Sequence, residues 1–344
     1  MGRTARGSKS PTLEDVAREA GVSRATVSRV VNGVRNVDPG IQEAVRLAIE
    51  RTGYAPNRAA RSLVTHRTEA VALVLSGAGD TFATRVFADP FFGRVVNGVL
   101  GFLRPRGVHP LLLVAESATA REQVVDYLRQ GSADGALVVS IQADDPLPAM
   151  LAAAHIPTAL FARPPGAERV SHVDLDHAAG ARLAAAHLLS RGRRRLATIS
   201  APHGLPAARE RLAGFRAALA EAGIDALPAV EGSFTSDSGA RAMAALLADH
   251  PDLDGVFAAN DLMALGACQY LREHGKDVPG DVAVVGFDDS SAALTCRPPL
   301  TTVRQPVERM SARMAELLLE QLQGTRTEPA SVVFAPELVV RDSA

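Results

Sequence analysis

Apolar and polar positions over Thr12–Asn32 follow the period of two short helices separated by a tight turn. Each helix has one apolar face, formed by Leu13, Val16, Ala17 and Ala20 in the first and by Val27, Val30 and Val31 in the second. Thr12 and Ser23 are suited to cap the two N-termini, and Gly21 can take the left-handed conformation that ends a helix. The pattern predicts a helix-turn-helix whose second helix, with arginines and serines on its outer face, enters the DNA major groove. An ordinary αα-hairpin with a solvated basic face is the alternative.

A third helix and a short hinge segment follow. Asp38 as a cap and Gly53 as a stop signal predict a helix that completes a three-helix core. Asn57 can cap a further helix over 58–64, which is too short to be stable without DNA or a partner copy. On this stretch alone two interpretations of Leu63 stay open: a wedge inserted into the minor groove, or a leucine docked on the next domain.

From Thr68 onward, apolar runs alternate with amphipathic segments. The runs predict strands at Ala70–Leu75, Pro110–Ala115, Gly135–Ser140, Pro157–Ala162, Val170–Asp174, Arg195–Ser200, Gly255–Ala258 and Val282–Gly286. The segments between and after them predict helices at Phe91–Arg104, Ala120–Gln130, Ala178–Arg191, Ala207–Ala222, Ser238–Ala248, Leu262–His274 and Val307–Gln323. This alternation predicts an α/β protein with parallel sheets, and the number of strands predicts two lobes. Ligands of such sheets bind beyond the carboxyl ends of the strands, here in the cleft between the lobes.

Charge is divided unevenly along the chain. Residues 1–67 carry twelve Lys and Arg against six Asp and Glu, a net charge of +6, which leaves −7 for the remainder of a 344-residue chain whose net charge is −1. A cationic head on an acidic body is typical of a phosphate-binding module attached to a sensor domain. The sequence has no apolar run of membrane-spanning length and no secretory signal, and Cys268 and Cys296 lack metal or redox spacing, so we expect a cytoplasmic protein without a membrane segment.

No enzyme motif accompanies these features. The sequence contains no G-x-S-x-G, no P-loop, no paired Cys–His arrangement and no metal-ligand cluster, so we expect no catalytic residues, no metal and no cofactor. His172, His177 and His203 are interpreted as surface or core residues, although His203 precedes a helix that could line a ligand site.

Several longer motifs occur in a fixed order. They are TLEDVAREAGVSRATVSRVVNG, GYAPNRAARSL, AARERLAGF, FAANDLMALGA, DVAVVGFDD and PPLTTVRQP. On these motifs the chain from Thr12 to Arg341 resembles the lactose/galactose-repressor (LacI/GalR) family of bacterial transcription regulators. The resemblance implies a homodimer that binds a pseudo-palindromic operator in double-stranded DNA, a hinge helix that folds on DNA, and a core similar to periplasmic sugar-binding proteins.

The resemblance also implies domain boundaries. It places a helix-turn-helix headpiece at 11–56, a hinge helix and linker at 57–67, and a ligand-binding core at 68–341. Within the core it assigns about 68–175 plus 306–326 to an N-subdomain and about 176–305 plus 327–341 to a C-subdomain.

Residues for DNA contact follow from the resemblance position by position. Arg24, Ala25 and Arg29 correspond to the base-reading positions, where arginine can pair with guanine and alanine can meet a thymine methyl. Phosphate-contacting positions correspond to Ser23, Thr26, Ser28 and Asn32, and the hinge cations Arg58 and Arg61 could also face phosphates. Leu63 corresponds to the minor-groove wedge, which favours that interpretation over docking.

An effector site is implied in the cleft. Its residues correspond to Phe91, Phe92, Arg163, Arg211, Phe234, Asn260 and Asp288. Aromatic rings against a sugar's apolar face, with Asp and Arg bonded to hydroxyls, fit a sugar or related polyol, and a nucleoside is the other ligand class considered. The alternatives are core packing for the phenylalanines, a surface cation for Arg211 and a simple turn at Asp288.

Three departures from the family pattern stand out. The loop Ser76–Asp89 is longer than usual, the chain has no tryptophan for sugar stacking, and no leucine heptad follows the last strand, so we expect a dimer. The predicted function is a ligand-responsive repressor in which the effector shifts a two-state coupling between lobes and headpiece. The alternative function is a solute-binding protein of the periplasmic type without DNA binding, which the N-terminal helices and the lack of a signal peptide oppose.

Overall fold

The computed structural model describes residues 11–31, 36–54, 67–79, 82–140, 142, 144–163 and 169–344, apart from the side chain of Arg85. The chain divides into two compact units, Met1–Thr68 and Glu69–Ala344.

The N-terminal unit contains helices α1 (Leu13–Ala20), α2 (Arg24–Val31) and α3 (Pro39–Thr52). Thr12 caps α1 as expected and forms a capping box with Asp15, since the Thr12 hydroxyl accepts from the Asp15 N–H and the Asp15 carboxylate accepts from the Thr12 N–H at 2.9 Å. Gly21 and Gly53 end their helices with φ of 66°, a conformation that costs glycine little. One apolar side chain from each helix, Val16, Val27 and Val45, is fully buried. The predicted three-helix headpiece fold is therefore confirmed.

The second unit consists of two lobes, each built on a six-stranded sheet. The N-terminal lobe has the strand order β11-β5-β4-β3-β1-β2 and the C-terminal lobe the order β12-β10-β9-β8-β6-β7. In the first sheet the strands are β1 (Ala70–Ser76), β2 (His109–Ala115), β3 (Ala136–Ser140), β4 (Thr158–Phe161), β5 (Ser171–Leu175) and β11 (Ser331–Phe334). In the second they are β6 (Leu196–Ser200), β7 (Ala229–Glu231), β8 (Gly255–Ala258), β9 (Ala283–Asp288), β10 (Thr301–Arg304) and β12 (Glu337–Val339). Every described strand pair is parallel except β10–β12.

Helices cover these sheets. The N-terminal lobe carries α4 (Phe82–Ala88), α5 (Pro90–Leu103), a 3₁₀ turn (Arg104–Arg106), α6 (Ala118–Arg129), α7 (Leu147–Ala153) and α13 (Val307–Leu322). The C-terminal lobe carries α8 (His177–Ser190), α9 (Pro206–Glu221), α10 (Ser236–Asp249), α11 (Asp261–Glu273) and α12 (Ser291–Thr295). No single helix in the described ranges is long and apolar enough to cross a membrane, and one helix pair bent by 73° meets that test only on length and composition.

The chain passes between the lobes three times, at 175–177, 304–307 and 334–337. The third passage corrects the predicted subdomain boundary, which assigned 327–341 to the C-subdomain. β11 instead extends the first sheet, with Ser331 opposite His172 and Phe334 opposite Leu175. Only Ala335 and Pro336 separate β11 from β12, so two adjacent short strands belong to different lobes.

Elements that were not predicted are all short. They comprise the strands β7, β10, β11 and β12 and the helices α4, α7 and α12. The helix α4 lies within the predicted long loop Ser76–Asp89, where Phe82 and Val86 are buried. Three to seven residues give too little periodicity to distinguish a half-buried element from a loop.

Glycines allow several helix pairs in the core to approach backbone to backbone. A Cβ atom on Gly266 of α11 would lie 1.9 Å from the carbonyl oxygen of Ser236, and one on Gly239 of α10 would lie 2.1 Å from that of Met263. The α10–α11 contact is therefore closed to any side chain at these positions.

We predict that Gly266→Ala destabilises the C-terminal lobe by about 1–3 kcal/mol or more, because the methyl group must displace backbone rather than a flexible side chain. Gly101→Ala in α5 is the matched control, since nothing lies within 4 Å of the position that its added methyl group would take. The control should raise helix stability by about 0.5–1 kcal/mol. Thermal unfolding of both variants tests this, and equal effects would contradict the packing argument.

Candidate functional site

The outer face of α2 presents the predicted DNA-contacting side chains to solvent. Ser23, Arg24, Ala25 and Arg29 are exposed, whereas Val27 on the opposite face is fully buried. Ser23 caps α2, because its hydroxyl accepts from the Thr26 N–H at 3.1 Å. The Thr26 and Ser28 side chains are half-buried beside this face.

Arg24 forms a weak, exposed ion pair. Its Nε lies 3.1 Å from the Glu14 carboxylate, and both side chains are more than half exposed. Exposed ion pairs contribute at most about 1 kcal/mol, so Arg24 can leave Glu14 for another acceptor at small cost. The predicted contacts Asn32, Arg58, Arg61 and Leu63 lie outside the described residues.

Between the two lobes of the core lies a cavity of about 510 Å³. All seven residues predicted for the effector site line it: Phe91, Phe92 and Arg163 from the N-terminal lobe, and Arg211, Phe234, Asn260 and Asp288 from the C-terminal lobe. Most of them follow the carboxyl ends of parallel strands, where open α/β sheets bind ligands.

Two helix N-termini fix the walls of the cavity. Asp89 caps α5 by accepting from the Phe91 N–H at 2.9 Å, which places Phe91 and Phe92 at the first turn. Asn260 caps α11 by accepting from the Met263 N–H at 2.9 Å, while its amide donates to the Phe234 carbonyl at 3.2 Å. These capping interactions fix the Asp89 and Asn260 side chains against the backbone of the cavity wall.

Phenylalanine rings in edge-on contact form the aromatic wall of the cavity. The Phe91 ring packs edge-on against Phe92 and Phe161 at centroid distances of 5.2 and 5.4 Å. Phe92 is 7% exposed and also packs against Phe82, so it belongs mainly to the lobe core. Phe91 is half-buried and offers more of its ring to the cavity.

Arg211 forms the polar floor. Its guanidinium donates to His177 Nδ1 at 3.3 Å, to the Ala259 carbonyl at 2.5 Å and to the Gln305 side-chain oxygen at 3.3 Å. It also lies 3.7 Å from the Asp288 carboxylate and stacks on the Phe287 ring at 3.6 Å. This buried cation is therefore fixed on several sides, and the surface-cation interpretation is wrong.

A row of polar groups links Arg211 in the C-terminal lobe to Arg163 in the N-terminal lobe. His177 Nε2 lies 3.7 Å from Asp174 Oδ1, and Asp174 Oδ2 lies 3.5 Å from the Arg163 guanidinium. Burial and the nearby arginines hold the pKa of His177 well below its usual value, so the ring is neutral. Because Nδ1 accepts from Arg211, the proton is on Nε2 and faces Asp174.

Comparisons with known proteins find matches in both units of the chain. Residues 12–57 match the model of the bacterial regulatory proteins, lacI family, and residues 185–344 match the periplasmic binding protein-like domain. The HTH-type transcriptional regulator CelR of Thermobifida fusca is 47% identical over 97% of this chain and 98% of its own length. The chain belongs to the LacI family of bacterial regulatory proteins. It is a transcriptional regulator with a helix-turn-helix domain and a periplasmic-binding-protein-like core, so a solute-binding protein without DNA binding is the wrong alternative.

Further LacI-family relatives cover almost the whole chain. The transcriptional repressor PurR of Vibrio parahaemolyticus serotype O3:K6 (strain RIMD 2210633) is 33% identical over 96% of this chain and 98% of its own. A solved CelR–cellobiose complex superposes with a TM-score of 0.75 at 44% identity, covering 97% of this chain and all of the other. A lac repressor dimer bound to operator and the anti-inducer ONPF superposes with a TM-score of 0.84 at 27% identity. The match covers 97% of this chain and 99% of the repressor chain.

Sequence reasoning missed several residues that line the LacI-family cleft. They are Asp89, Gln142, Asp144, Asp174, His177, Glu210 and Gln305. His177 and Asp174 flank the end of β5, so their position after a strand was the available signal. His203, by contrast, does not line the cavity, and its ring nitrogens lie 3.3 Å from Ser200 Oγ and 3.6 Å from Glu231. In the described part of the chain, no group of three or more His, Cys, Asp or Glu side chains is placed to hold a metal ion.

Buried carboxyl groups surround Arg211. Burial raises the pKa of Asp288 well above its usual value, and Arg211 opposes that rise. Burial also raises the pKa of Asp261 to about 7, although this carboxylate accepts from the Thr302 hydroxyl at 2.5 Å and from the Ser290 N–H at 2.6 Å. Asp261 thus binds a proton in the folded protein at a pH where the unfolded chain has released it.

The stability contributed by this proton is fully present below the unfolded pKa of about 3.8 and is lost as pH rises through about 7. We therefore predict that Asp261→Asn destabilises the protein more at about pH 5 than at about pH 8, since asparagine does not titrate. Urea unfolding of both proteins at the two pH values measures the difference. If the difference in unfolding free energy between the wild type and Asp261→Asn stays constant or widens as pH rises, Asp261 does not titrate in this range.

Proposed function

We propose that this LacI-family regulator is a cytoplasmic repressor without catalytic activity, which binds a pseudo-palindromic operator as a homodimer and responds to a sugar in the interlobe cleft. The observation that carries the effector assignment is the cavity of about 510 Å³, a size typical of small-molecule sites. Its lining combines the exposed part of the Phe91 ring with convergent polar groups from Arg211, Asp288 and Asn260.

Such a combination suits a carbohydrate. A sugar ring has an apolar face that packs on an aromatic ring and a rim of hydroxyl groups that accept and donate hydrogen bonds. Arg211 supplies a charged donor beside the Asp288 carboxyl group, and charge-assisted hydrogen bonds are the stronger ones. The similarity to CelR, which has been solved with cellobiose, supports a cellobiose-like disaccharide.

The headpiece supports the DNA assignment. Arg29 and Arg24 extend from the exposed face of α2, beside the small Ala25, so two arginines and a methyl group are available to base edges. Ser23, Thr26 and Ser28 lie next to them and suit phosphate contacts that fix register. The match of residues 12–57 to the lacI family and the similarity to an operator-bound lac repressor dimer support the same assignment.

Regulation requires that the effector bind one lobe arrangement better than another. Residues from both lobes line the cavity, so a ligand that touches both favours the arrangement in which its contacts are all made. We propose that this change alters the dimer and the pairing of the hinge segments 57–67, and so changes the affinity for operator DNA.

Calorimetric titration of the purified protein with cellobiose tests the effector assignment, with glucose and guanosine as controls. We expect saturable binding of cellobiose, weaker binding of glucose and none of guanosine. The thermal unfolding temperature should rise with cellobiose, because a ligand at about 100 times its Kd adds about 2.7 kcal/mol to the free energy of unfolding. Binding of guanosine without binding of any sugar would contradict the proposal.

A further inference from the structure

The turn that follows β9 adopts a strained backbone. Asp288 has a φ of 110° and Asp289 a φ of 52°, two successive non-glycine residues in the left-handed half of the map. Each such residue costs on the order of 1–3 kcal/mol and persists only when its surroundings hold it in place. Asp288 also directs its carboxylate toward Arg211 in the effector cavity.

Three of the groups that hold this turn come from the C-terminal lobe. The Ser290 N–H donates to the Asp261 carboxylate at 2.6 Å. The Asp289 carboxylate accepts from Arg304 at 2.7 Å and from Arg341 at 2.6 Å. These contacts move with the turn when the C-terminal lobe moves.

Arg94 on α5 is the anchor that the N-terminal lobe supplies within the described residues. Its guanidinium donates to the Asp288 carbonyl at 2.8 Å and to the Gln305 carbonyl at 3.0 Å. The other edge forms two bonds of 2.7 and 2.9 Å to the Glu308 carboxylate. The Arg94 side chain is only 18% exposed, while the side chain of its partner Glu308 is 41% exposed.

Helix packing explains why Arg94 reaches this position. Gly98, one turn further along α5, faces the start of α13, where an added Cβ would lie 2.4 Å from the Glu308 carbonyl and 2.8 Å from the Ser311 Cβ. The close contact brings Glu308 beside Arg94 and holds the second interlobe passage against α5. One side chain therefore contacts the N-terminal lobe, the passage and the strained turn of the C-terminal lobe.

We propose that Arg94 is a positioning residue that holds the Asp288 turn in its effector-binding conformation and couples that conformation to the arrangement of the lobes. The proposal rests on the proposed sugar site in the cleft. A purely structural role would require only the ion pair with Glu308, whereas positioning requires the two bonds to backbone carbonyls.

Arg94→Ala and Arg313→Ala separate these roles. Arg313 is a partly buried arginine on α13 with two glutamate partners, Glu316 and Glu320, and has no contact with the turn. Both variants lose ion pairs in the N-terminal lobe, so both should lower the thermal midpoint. Only Arg94→Ala should speed amide hydrogen exchange in segments 286–291 and 304–308, by on the order of tenfold.

The same pair of variants is then titrated with cellobiose. We expect Arg94→Ala to weaken cellobiose binding on the order of tenfold and Arg313→Ala to leave it unchanged, with Arg94→Lys between them because lysine provides donors without the fork. Equal exchange rates and equal affinities in Arg94→Ala and Arg313→Ala would overturn the proposal. If the wild-type protein does not bind cellobiose, the sugar assignment fails, while the exchange rates still decide whether Arg94 holds the turn.

Discussion

Arg29→Ala is expected to weaken binding to the DNA upstream of the protein's own gene by on the order of 10²–10³-fold. A bidentate contact from arginine to guanine is worth about 1–3 kcal/mol per site, and a dimer on a pseudo-palindrome makes it twice. Arg29 is exposed on the last turn of α2, so its removal leaves no buried partner unsatisfied and the headpiece stays folded. Cellobiose binding should be unchanged, because the substitution lies outside the core.

Arg46→Ala provides the control in a gel-shift titration. This α3 arginine is also exposed, but Glu43 and Glu50 already pair with it at 2.7 and 2.5 Å. Its loss changes the charge of the headpiece by the same amount without touching the face of α2, so DNA affinity should change little. If Arg46→Ala weakens the complex as much as Arg29→Ala, the effect is general electrostatics and α2 does not read bases.

Arg211→Ala is expected to destabilise the core by about 3–5 kcal/mol and to abolish effector binding. Removing one partner of a buried ion pair leaves the other without its counter-charge, so Asp288 at 3.7 Å must either keep a charge in a buried site or take up a proton. The substitution also removes the donors to the Ala259 carbonyl and to the Gln305 side chain and opens a space over the Phe287 ring. Thermal unfolding and calorimetric titration with cellobiose measure the two losses.

Arg182→Ala and Arg211→Lys are the matched controls for Arg211→Ala. Arg182→Ala removes an exposed arginine of the same lobe that pairs with Glu221, and it should cost less than about 1 kcal/mol. Arg211→Lys retains the positive charge but not the fork, so it should fold more stably than Arg211→Ala and still fail to bind cellobiose. Wild-type affinity in Arg211→Lys would show that the guanidinium geometry is not required.

Local signals predicted the headpiece well. Thr12, Gly21, Asp38 and Gly53 mark helix ends because capping and left-handed backbone depend on adjacent residues alone. The resemblance to a known family likewise predicted which residues line the cleft. Position in a cavity does not by itself establish contact with an effector, so those roles stay proposals.

The remaining features depend on tertiary structure. His177 and Gln305 enter the cavity because the chain passes between the lobes at those points, and nothing in the local sequence marks a passage. β11 and β12 are neighbours in sequence but belong to different sheets, which hydrophobic periodicity does not reveal. Arg94 is the clearest case, since its partners Asp288 and Glu308 lie about 200 residues away and the helix contact at Gly98 is what places Glu308 beside it.

The proposed regulation depends on a coupling between the cationic headpiece and the two-lobed core. Fluorescence anisotropy of a labelled duplex from upstream of the gene, titrated with the full chain with and without saturating cellobiose, tests it most directly. We expect specific binding over random competitor DNA and a change in affinity within the range of about 5–150-fold on adding cellobiose. No preference for the duplex, or a preference that saturating cellobiose leaves unchanged, would contradict it.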